Sequence, residues 1–417
     1  MSTNALAING GSPLRTEPWP TRGLIGREEK AAVTALFDQA IESGNAPGYG
    51  GPREEAYCRE FAEVMGGGYA DGVSSGTAAV YVALRALDLE PFSEVVVACV
   101  TDPGGMMPIP LINCIPVPAD TAPGSFNAGP EQIEEAITPH TSAILIAHIF
   151  GEPADVEGIL AVARRHNLPV VEDCAQAHGA KLNGQPVGTF GDVAAFSTMF
   201  GKHYCTGGQG GVVFTRDENL APMVRRAADR GKPFGLPAGS TNCFASLNLN
   251  LDEFGATIGR EQLRKMPALV DRIRTVAAHI RDGLEDVPGL SVPNPIPGAV
   301  PSYWKLRIEF QQEAMTCDKS SFCDALKAEG LTPIMENYFA GMPHLQDWFV
   351  NHRVFGTSGY PWASPAYKGD PNRQFPCPNA MDSMHRFFAL LCNEAWTTED
   401  ADDALTVLHK VEAAYRR

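Results

Sequence analysis

The middle of the chain alternates short apolar runs with segments of helical spacing. The helical segments cover residues 130–137 and 154–166. The strand-like runs between and around them are residues 95–100, 115–120, 143–149, 168–173, 192–197 and 211–215. Alternation of this kind is typical of a mainly parallel sheet that helices cover on both faces. The pattern therefore predicts an α/β domain whose ligands bind at the carboxyl ends of the strands.

The two ends of the chain follow a different pattern. Near residue 248 the spacing becomes that of a long helix that reaches about residue 280, and it could connect to a second domain. The flanking segments are a helix at 28–43, a loop at 44–52, a strand at 302–310, a helix at 319–328, a Pro- and Gly-rich surface loop at 356–378, and a helix from 398. We expect a large α/β domain over residues 1–270, with an N-terminal arm, and a small C-terminal α+β domain over residues 271–417.

Composition narrows the class of protein. The 417 residues are 44% hydrophobic and 20% charged, as in ordinary globular proteins. No apolar run approaches the ~20 residues of a membrane span, and MSTNALAING does not resemble a secretory signal. The net charge of −16 argues against nucleic acid as a partner. The ten scattered cysteines lack a CxxC pair and the histidines lack ligand spacing, so we expect a cytoplasmic protein without a metal site.

Candidate chemistry rests on residues that mean little one by one. An aspartate after a strand, such as Asp173, is usually a cap or turn residue, and a lone lysine such as Lys202 is usually solvated. Here Lys202 follows Asp173 by 29 positions with another strand between them, and Ser197 precedes the lysine by five. A small-residue turn from Ser74 also leads into a helix, whose free N–H groups can bind phosphate or need only a cap.

Other glycine-rich or catalytic motifs explain the chain less well. TGGQGG, at residues 206–211, leads into a strand and so lacks the strand–turn–helix context of a dinucleotide fingerprint. It also lacks the GK[ST] ending of a P-loop. No HExxH, GxSxG or kinase signature is present.

These motifs together resemble the DegT/StrS-type aminotransferase family, fold type I pyridoxal-phosphate enzymes that aminate keto sugars and cyclitols. The likeness covers nearly the whole chain and is carried by LAINGGSPLR, SSGTAA, AHIFGEPADVEGILAVARRHNLPVVEDCAQAHGA, SxxxxKxxxxGGxGG, ASLNLNLDEFGATIGREQL and DALKAEGL. The opening LAINGGSPLR resembles the branch that contains scyllo-inosose aminotransferases and amino-hydroxybenzoate synthases. The resemblance implies an aminotransferase that moves an amino group from glutamine or glutamate to a keto sugar, cyclitol or related carbonyl compound, probable settings being secondary-metabolite or polysaccharide biosynthesis.

The resemblance also implies a role for each matching residue. Lys202 matches the lysine that carries pyridoxal 5'-phosphate, and Asp173 matches the carboxylate paired with the pyridine nitrogen. The remaining matches are Gly76, Thr77 and Ser197 at the phosphate, Ala175 at a ring face, Gln176 at the ring hydroxyl, and Asn248 at the phosphate of the partner subunit. Asn248 thereby implies a homodimer with active sites at the subunit interface. His178 occupies a family histidine position for which a structural hydrogen bond is at least as good an explanation as catalysis.

Two departures from the family pattern leave alternatives open. The aromatic residue that usually covers the cofactor ring is replaced by the segment Thr101 to Gly105, and Asn250 stands in place of an arginine. Elimination on the same cofactor frame, or a non-catalytic regulatory role, would each fit such changes. Retention of Lys202 and Asp173 favours transamination. Tyr303, Trp304 and Tyr338 could line the substrate site, although packing is the more frequent role of such residues.

Overall fold

The computed structural model describes residues 5–417. Residues 1–4, the start of the segment compared above with a secretory signal, lie outside the described residues. Within residues 5–417, no helix is both long and apolar enough to cross a membrane.

The helices and strands alternate through the first half of the chain, as the apolar pattern predicts. The helices are α1 (Arg27–Ser43), α2 (Pro52–Val64), α3 (Gly76–Ala86), α4 (Pro103–Met106), α5 (Pro108–Leu111), α6 (Pro130–Ala136), α7 (Val156–His166), α8 (Leu220–Ala228), α9 (Glu253–Gly283), α10 (Lys319–Ala328), α11 (Asp347–Val350), α12 (Pro378–Arg386) and α13 (Thr398–Tyr415). The strands are β1 (Tyr69–Val73), β2 (Glu94–Ala98), β3 (Ile115–Ala119), β4 (Thr141–Ala147), β5 (Val170–Asp173), β6 (Lys181–Leu182), β7 (Gln185–Pro186), β8 (Val193–Ser197), β9 (Gly211–Thr215), β10 (Leu290–Ser291), β11 (Ala299–Val300), β12 (Leu306–Phe310), β13 (Ile334–Met335) and β14 (Phe387–Leu390).

A seven-stranded sheet forms the centre of the first half, in the order β1-β9-β8-β5-β4-β2-β3. The pairs from β8 to β3 are parallel, whereas β9 runs antiparallel to both of its neighbours. Every residue of β2, β3, β5, β8 and β9 is buried, which is why these strands read as continuous apolar runs. The prediction of an α/β fold with a mainly parallel sheet is confirmed, and the sheet has seven strands.

A second sheet lies in the C-terminal part and has four antiparallel strands, in the order β10-β12-β14-β13. The N-terminal arm packs on this part of the molecule. Leu6 joins its apolar core, and Trp19 stacks on Trp396 with ring centroids 4.4 Å apart. The boundary that we predict at residue 270 falls inside α9, so the division into 1–270 and 271–417 stays a prediction.

The prediction of a surface loop at residues 356–378 is partly wrong. The segment has little regular structure, but Trp362 and Tyr367 are buried within it. The hydroxyl of Tyr367 donates a hydrogen bond of 2.7 Å to Glu94 Oε1 at the start of β2. Glycine and proline content marked the lack of regular structure correctly, but it does not show which aromatic residues along such a segment insert into a core.

Candidate active site

Asp173 is the last residue of β5, and hydrogen bonds of its own carboxylate and of the preceding Glu172 hold it in place. Its Oδ1 accepts a hydrogen bond of 2.9 Å from the N–H of Ala175. The preceding Glu172 points to the opposite side of the strand, where its carboxylate accepts bonds from the N–H groups of Gly188, Phe190 and Gly191. The buried carboxylate of Glu172 thus holds the end of β5 in place.

The carboxyl group of Asp173 is buried without an ion-pair partner among residues 5–417. Burial raises its pKa, the Ala175 N–H and the positive charge of Lys202 opposing that effect. A buried carboxylate without a close cation costs several kcal/mol of free energy. A cationic ring nitrogen beside it would remove much of that cost.

Lys202 lies on the connection between β8 and β9 and faces Asp173 across one cavity. The side chain is almost fully buried, and burial lowers the pKa of its amine to about 8. Its Nζ lies 4.0 Å from the centroid of the Trp304 ring, and the Trp304 indole N–H donates to the carbonyl of Gly201 at 2.8 Å. The indole is therefore fixed to the backbone just before the lysine, and it limits where the amine can move.

The start of α3 forms the third side of the cavity. Ser75 caps this helix by accepting a bond of 3.0 Å from the N–H of Ala78. The N–H groups of Gly76 and Thr77 belong to the first turn, so they have no acceptor within the helix. A Cβ on Gly76 would lie 2.6 Å from the Cβ of Ser197, so only glycine allows β8 to approach so closely. Two backbone donors and the Ser197 hydroxyl thus meet at one anion-binding point.

The cavity enclosed by these elements has a volume of about 210 Å³. Its wall consists of Ser75, Gly76, Thr77, Val80, Asp102, Gly104, Gly105, Asp173, Ala175, Ser197, Met199, Lys202 and Gln209. The sequence predictions for Gly76, Thr77, Asp173, Ala175, Ser197 and Lys202 all fall on this wall. An amine, a buried carboxylate and a phosphate seat around one cavity are the groups that pyridoxal phosphate needs, so the residues fit this cofactor.

The segment Thr101 to Gly105 lies over Asp173 and carries no aromatic residue. A Cβ on Gly105 would meet the Thr101 hydroxyl and would lie 2.9 Å from Asp173 Oδ2, and one on Gly104 would meet the Thr77 hydroxyl. Asp102 caps the short helix α4 by accepting from the N–H of Gly104 at 2.9 Å. The backbone of Gly104 and Gly105 therefore packs where the family pattern has an aromatic ring. A side chain at either position would clash, so this close approach requires glycine.

Gln176 and His178 are held by protein groups. Gln176 Oε1 accepts from the N–H of Phe150 at 2.8 Å, and its Nε2 lies 3.4 Å from the Tyr338 hydroxyl. His178 Nε2 donates to the carbonyl of Ser197 at 2.7 Å, and burial lowers the His178 pKa to about 4. The imidazole is therefore neutral at physiological pH, and its hydrogen bond fixes Ser197. This favours the structural explanation for His178.

Asn248 is not part of this cavity within its own chain. It is exposed and pairs through its backbone with Asp229. The amide of Asn250 donates a bond of 2.6 Å to Asn248 Oδ1. Asn250, the residue that replaces the family arginine, therefore orients Asn248, and its own backbone pairs with Val73 at the end of β1.

Lys305 is a second, half-buried lysine near the cavity, and the sequence predictions did not include it. Its Nζ lies 4.3, 4.8 and 5.0 Å from the ring centroids of Trp304, Tyr338 and Phe150. Its other polar contact is Met335 Sδ at 3.5 Å, and no carboxylate of residues 5–417 forms an ion pair with it. Burial and the charge of Lys202 lower its pKa to about 8. A lysine inside the strand-like run 302–310, beside tryptophan, was the signal in the sequence.

Comparison with known proteins agrees with this geometry. The model of the DegT/DnrJ/EryC1/StrS aminotransferase family matches residues 27–410. The chain is 34% identical over 292 residues to an L-glutamine:2-deoxy-scyllo-inosose aminotransferase of Micromonospora echinospora, which covers 67% of this chain and 68% of the relative. It is also 34% identical over 279 residues to a dTDP-3-amino-3,4,6-trideoxy-alpha-D-glucose transaminase of Streptomyces venezuelae. That match covers 67% of this chain and 72% of the relative.

A solved structure shows the same fold over nearly the whole length. The X-ray structure of the aminotransferase from Psychrobacter cryohalolentis superposes with a TM-score of 0.82 at 27% identity, and the match covers 96% of this chain and 99% of that one. Fold and site together define an aminotransferase of pyridoxal-phosphate fold type I. The chain belongs to the DegT/DnrJ/EryC1/StrS aminotransferase family.

The close approach of Gly105 to Asp173 gives a testable prediction. We expect Gly105→Ala to bind pyridoxal phosphate about 10- to 100-fold more weakly, because overpacking of a filled site costs ~1–3 kcal/mol. A Cβ on Gly208 would meet no atom within 4 Å, so Gly208→Ala is the matched control and should bind normally. Titration of cofactor absorbance measures both affinities. Equal affinity in the two variants would contradict the packing described here.

Proposed function

We propose that the protein uses pyridoxal 5'-phosphate to move an amino group from glutamine or glutamate to a keto cyclitol or keto sugar. The observation that carries the proposal is the position of Lys202 and Asp173 on one cavity whose third side is the start of α3. The names of the two relatives above support this class of acceptor, since one aminates an inosose and the other is a transaminase of a nucleotide-linked sugar.

Each residue of the wall has a task in this proposal. Gly76 and Thr77 donate backbone N–H groups to the phosphate, and Ser197 adds its hydroxyl. Asp173 pairs with the ring nitrogen and keeps it protonated, which makes the bound cofactor an electron sink. Ala175 leaves room at one ring face. Gln176 keeps Phe150 and Tyr338 in place beside the cavity.

Lys202 is both the attachment point and the proton carrier. A lysine amine has an ordinary pKa of ~10.4 and is then almost fully charged at neutral pH. Burial lowers the pKa of Lys202 to about 8, so a useful fraction of the amine is free to attack and to accept a proton. Once the donor occupies the site, the Lys202 Nζ would take the proton from the donor's amino carbon and deliver it to the bound cofactor.

Loss of the Lys202 amine tests this role. We expect Lys202→Ala to lose at least about 1,000-fold in the rate of the donor half-reaction, since general acid–base catalysis alone contributes roughly 100- to 10,000-fold. Stopped-flow absorbance of the cofactor follows the half-reaction, and circular dichroism checks the fold. Lys181 is exposed, so Lys181→Ala is the control. A Lys202→Ala enzyme with the normal rate would exclude the assigned role.

We propose that Lys305 binds the carboxylate of the amino donor. In glutamine and glutamate this carboxylate sits on the carbon that reacts at Lys202, so its partner must lie near that amine. Lys305 contacts the same indole ring as Lys202 and forms no ion pair with a carboxylate in the described part of the chain. It therefore supplies a nearby positive charge in a chain where Asn250 stands in place of the family arginine.

The donor dependence of the reaction tests Lys305. We expect Lys305→Met to raise the KM for the donor about 10- to 100-fold, because a charge-assisted hydrogen bond is worth ~1.5–3 kcal/mol, while kcat changes less. Lys305→Arg should restore part of the affinity, and Lys368→Met, at a distant lysine, should have no effect. Donor binding should also weaken as pH rises through about 8, since Lys305 is charged below its pKa and neutral above it. An unchanged donor KM in Lys305→Met would rule out this assignment.

We propose that the protein is a homodimer in which Asn248 completes the site of the partner subunit. Asn248 is exposed and outside its own cavity. Phe200, two residues before Lys202, is 67% exposed, and Leu247 beside Asn248 is 55% exposed. Large apolar side chains next to an active site are well explained by a second chain that covers them.

Mixing two inactive variants tests the shared site. We expect Asn248→Asp to weaken activity strongly by charge repulsion with the phosphate. A hybrid dimer has one Asn248→Asp chain and one Lys202→Ala chain, and one of its two sites then has both residues intact. Random mixing makes about half of the dimers hybrids, so we expect about a quarter of the wild-type activity. Light scattering should give the mass of two chains. If the Asn248→Asp homodimer is impaired and mixing restores no activity, Asn248 belongs to the site of its own chain.

We also propose a cytoplasmic location, with no nucleic acid or membrane as a partner. All ten cysteines are unpaired, which suits a reducing compartment. Recovery of the protein in the secreted or membrane fraction of its cells would contradict this.

A further inference from the structure

A cluster of two cysteines, a histidine and an aspartate lies away from the cavity wall. Cys99 follows β2 and Asp120 follows the neighbouring strand β3, so both lie at the carboxyl edge of the large sheet. Cys377 precedes α12 and His344 lies in the turn at Pro343–Leu345. One ligand atom each from Cys99, Asp120 and Cys377 lie within 4.8 Å of one another.

His344 adds an independent observation. It is 4% exposed, and neither of its ring nitrogens completes a hydrogen bond with any group of residues 5–417. It lies beside Cys377, one of the three clustered residues. A buried imidazole without a hydrogen-bond partner, next to a cluster of possible metal ligands, is unexplained by packing alone.

We propose that Cys99, Cys377, Asp120 and His344 bind a structural zinc ion. Two sulfurs, one nitrogen and one carboxylate oxygen are ligands that zinc accepts in a tetrahedral site. Zinc–sulfur and zinc–oxygen bonds of about 2.3 and 2.0–2.2 Å place neighbouring ligand atoms about 3.3–3.8 Å apart, so the three clustered atoms need only small shifts. Binding releases the thiol protons to the solvent and gives the imidazole nitrogen a partner.

The surroundings hold the ligands in position. Asp120 accepts bonds of 2.9 Å from the N–H groups of Asn379 and Ala380 in the first turn of α12, which orient the carboxylate as second-shell donors do. The N–H of Thr101 donates to the carbonyl of Gly341 at 2.8 Å, which ties the chain near His344 to the chain after Cys99. The other buried group of this kind, His148 with Glu172 and Cys174, differs because its imidazole and carboxylate already satisfy each other.

The zinc site would link Cys99, directly after β2, to Cys377 in the C-terminal segment that precedes α12. Thr101 and Gly105 come two and six positions after Cys99, and they form the part of the cavity wall that lies against Asp173. Zinc would thus stiffen the support of the active site without touching the reacting groups. The inference does not depend on the identity of the donor or the acceptor.

Metal content of the purified full-length protein tests the site. We expect about one zinc per chain by inductively coupled plasma mass spectrometry in the wild type, after dialysis against zinc and then buffer. Cys99→Ser and Cys377→Ser should each lose nearly all of it. Cys323 is also fully buried but belongs to no such cluster, so Cys323→Ser is the matched control and should keep its zinc. Circular dichroism confirms that the variants fold.

Two further measurements identify the ligands. Cobalt added to the metal-free wild type should give thiolate-to-cobalt absorption, measured as the difference with and without chelator so that cofactor absorbance cancels. His344→Asn should bind zinc at least about tenfold more weakly in competition with a chromophoric chelator. Zinc-free wild type, wild-type zinc content in both cysteine variants, or a Cys99–Cys377 disulfide found by mass spectrometry in place of metal would each overturn the proposal.

Discussion

The active site depends on one buried carboxylate that forms no ion pair within residues 5–417. Asp173 ends a fully buried strand, and the one hydrogen bond that its carboxylate accepts from residues 5–417 comes from the N–H of Ala175. The neighbouring Glu172 differs, because three backbone N–H groups and His148 surround its carboxylate and lower its pKa. The same strand thus carries one acid that is fully satisfied and builds the scaffold, and one that stays available for a ligand.

The two lysines near this carboxylate have related constraints. Burial lowers the pKa of each amine to about 8, and at Lys305 the charge of Lys202 adds to that effect. In the proposed reaction Lys202 must give up its charge to react, whereas Lys305 must keep its charge to hold an anion. A bound carboxylate beside Lys305 would neutralise part of that charge, so donor binding and the state of Lys202 are electrostatically coupled.

The sequence was sufficient for the elements that follow a regular period and for the residues that follow a family motif. The strands around Asp173 and Lys202 were predicted to within about two residues, because fully buried parallel strands have no polar face to confuse the pattern. Lys305 and the group around His344 could not be predicted in this way. Their members are brought together by pairing between distant segments, and no spacing along the chain records which side chains meet.

At each departure from the family pattern, this chain has a different local arrangement. Where an aromatic ring is expected, glycines allow backbone to pack against Thr77 and Asp173, and Asn250 in place of an arginine orients Asn248. Trp304 and Lys305, the proposed donor-binding residue, lie near Lys202 and directly precede β12 of the C-terminal sheet. The proposed recognition group thus lies at the start of a different sheet from Asp173 and Ser197. The groups of the cavity wall that act on the cofactor are retained, and this separation lets substrate recognition change without loss of the chemistry.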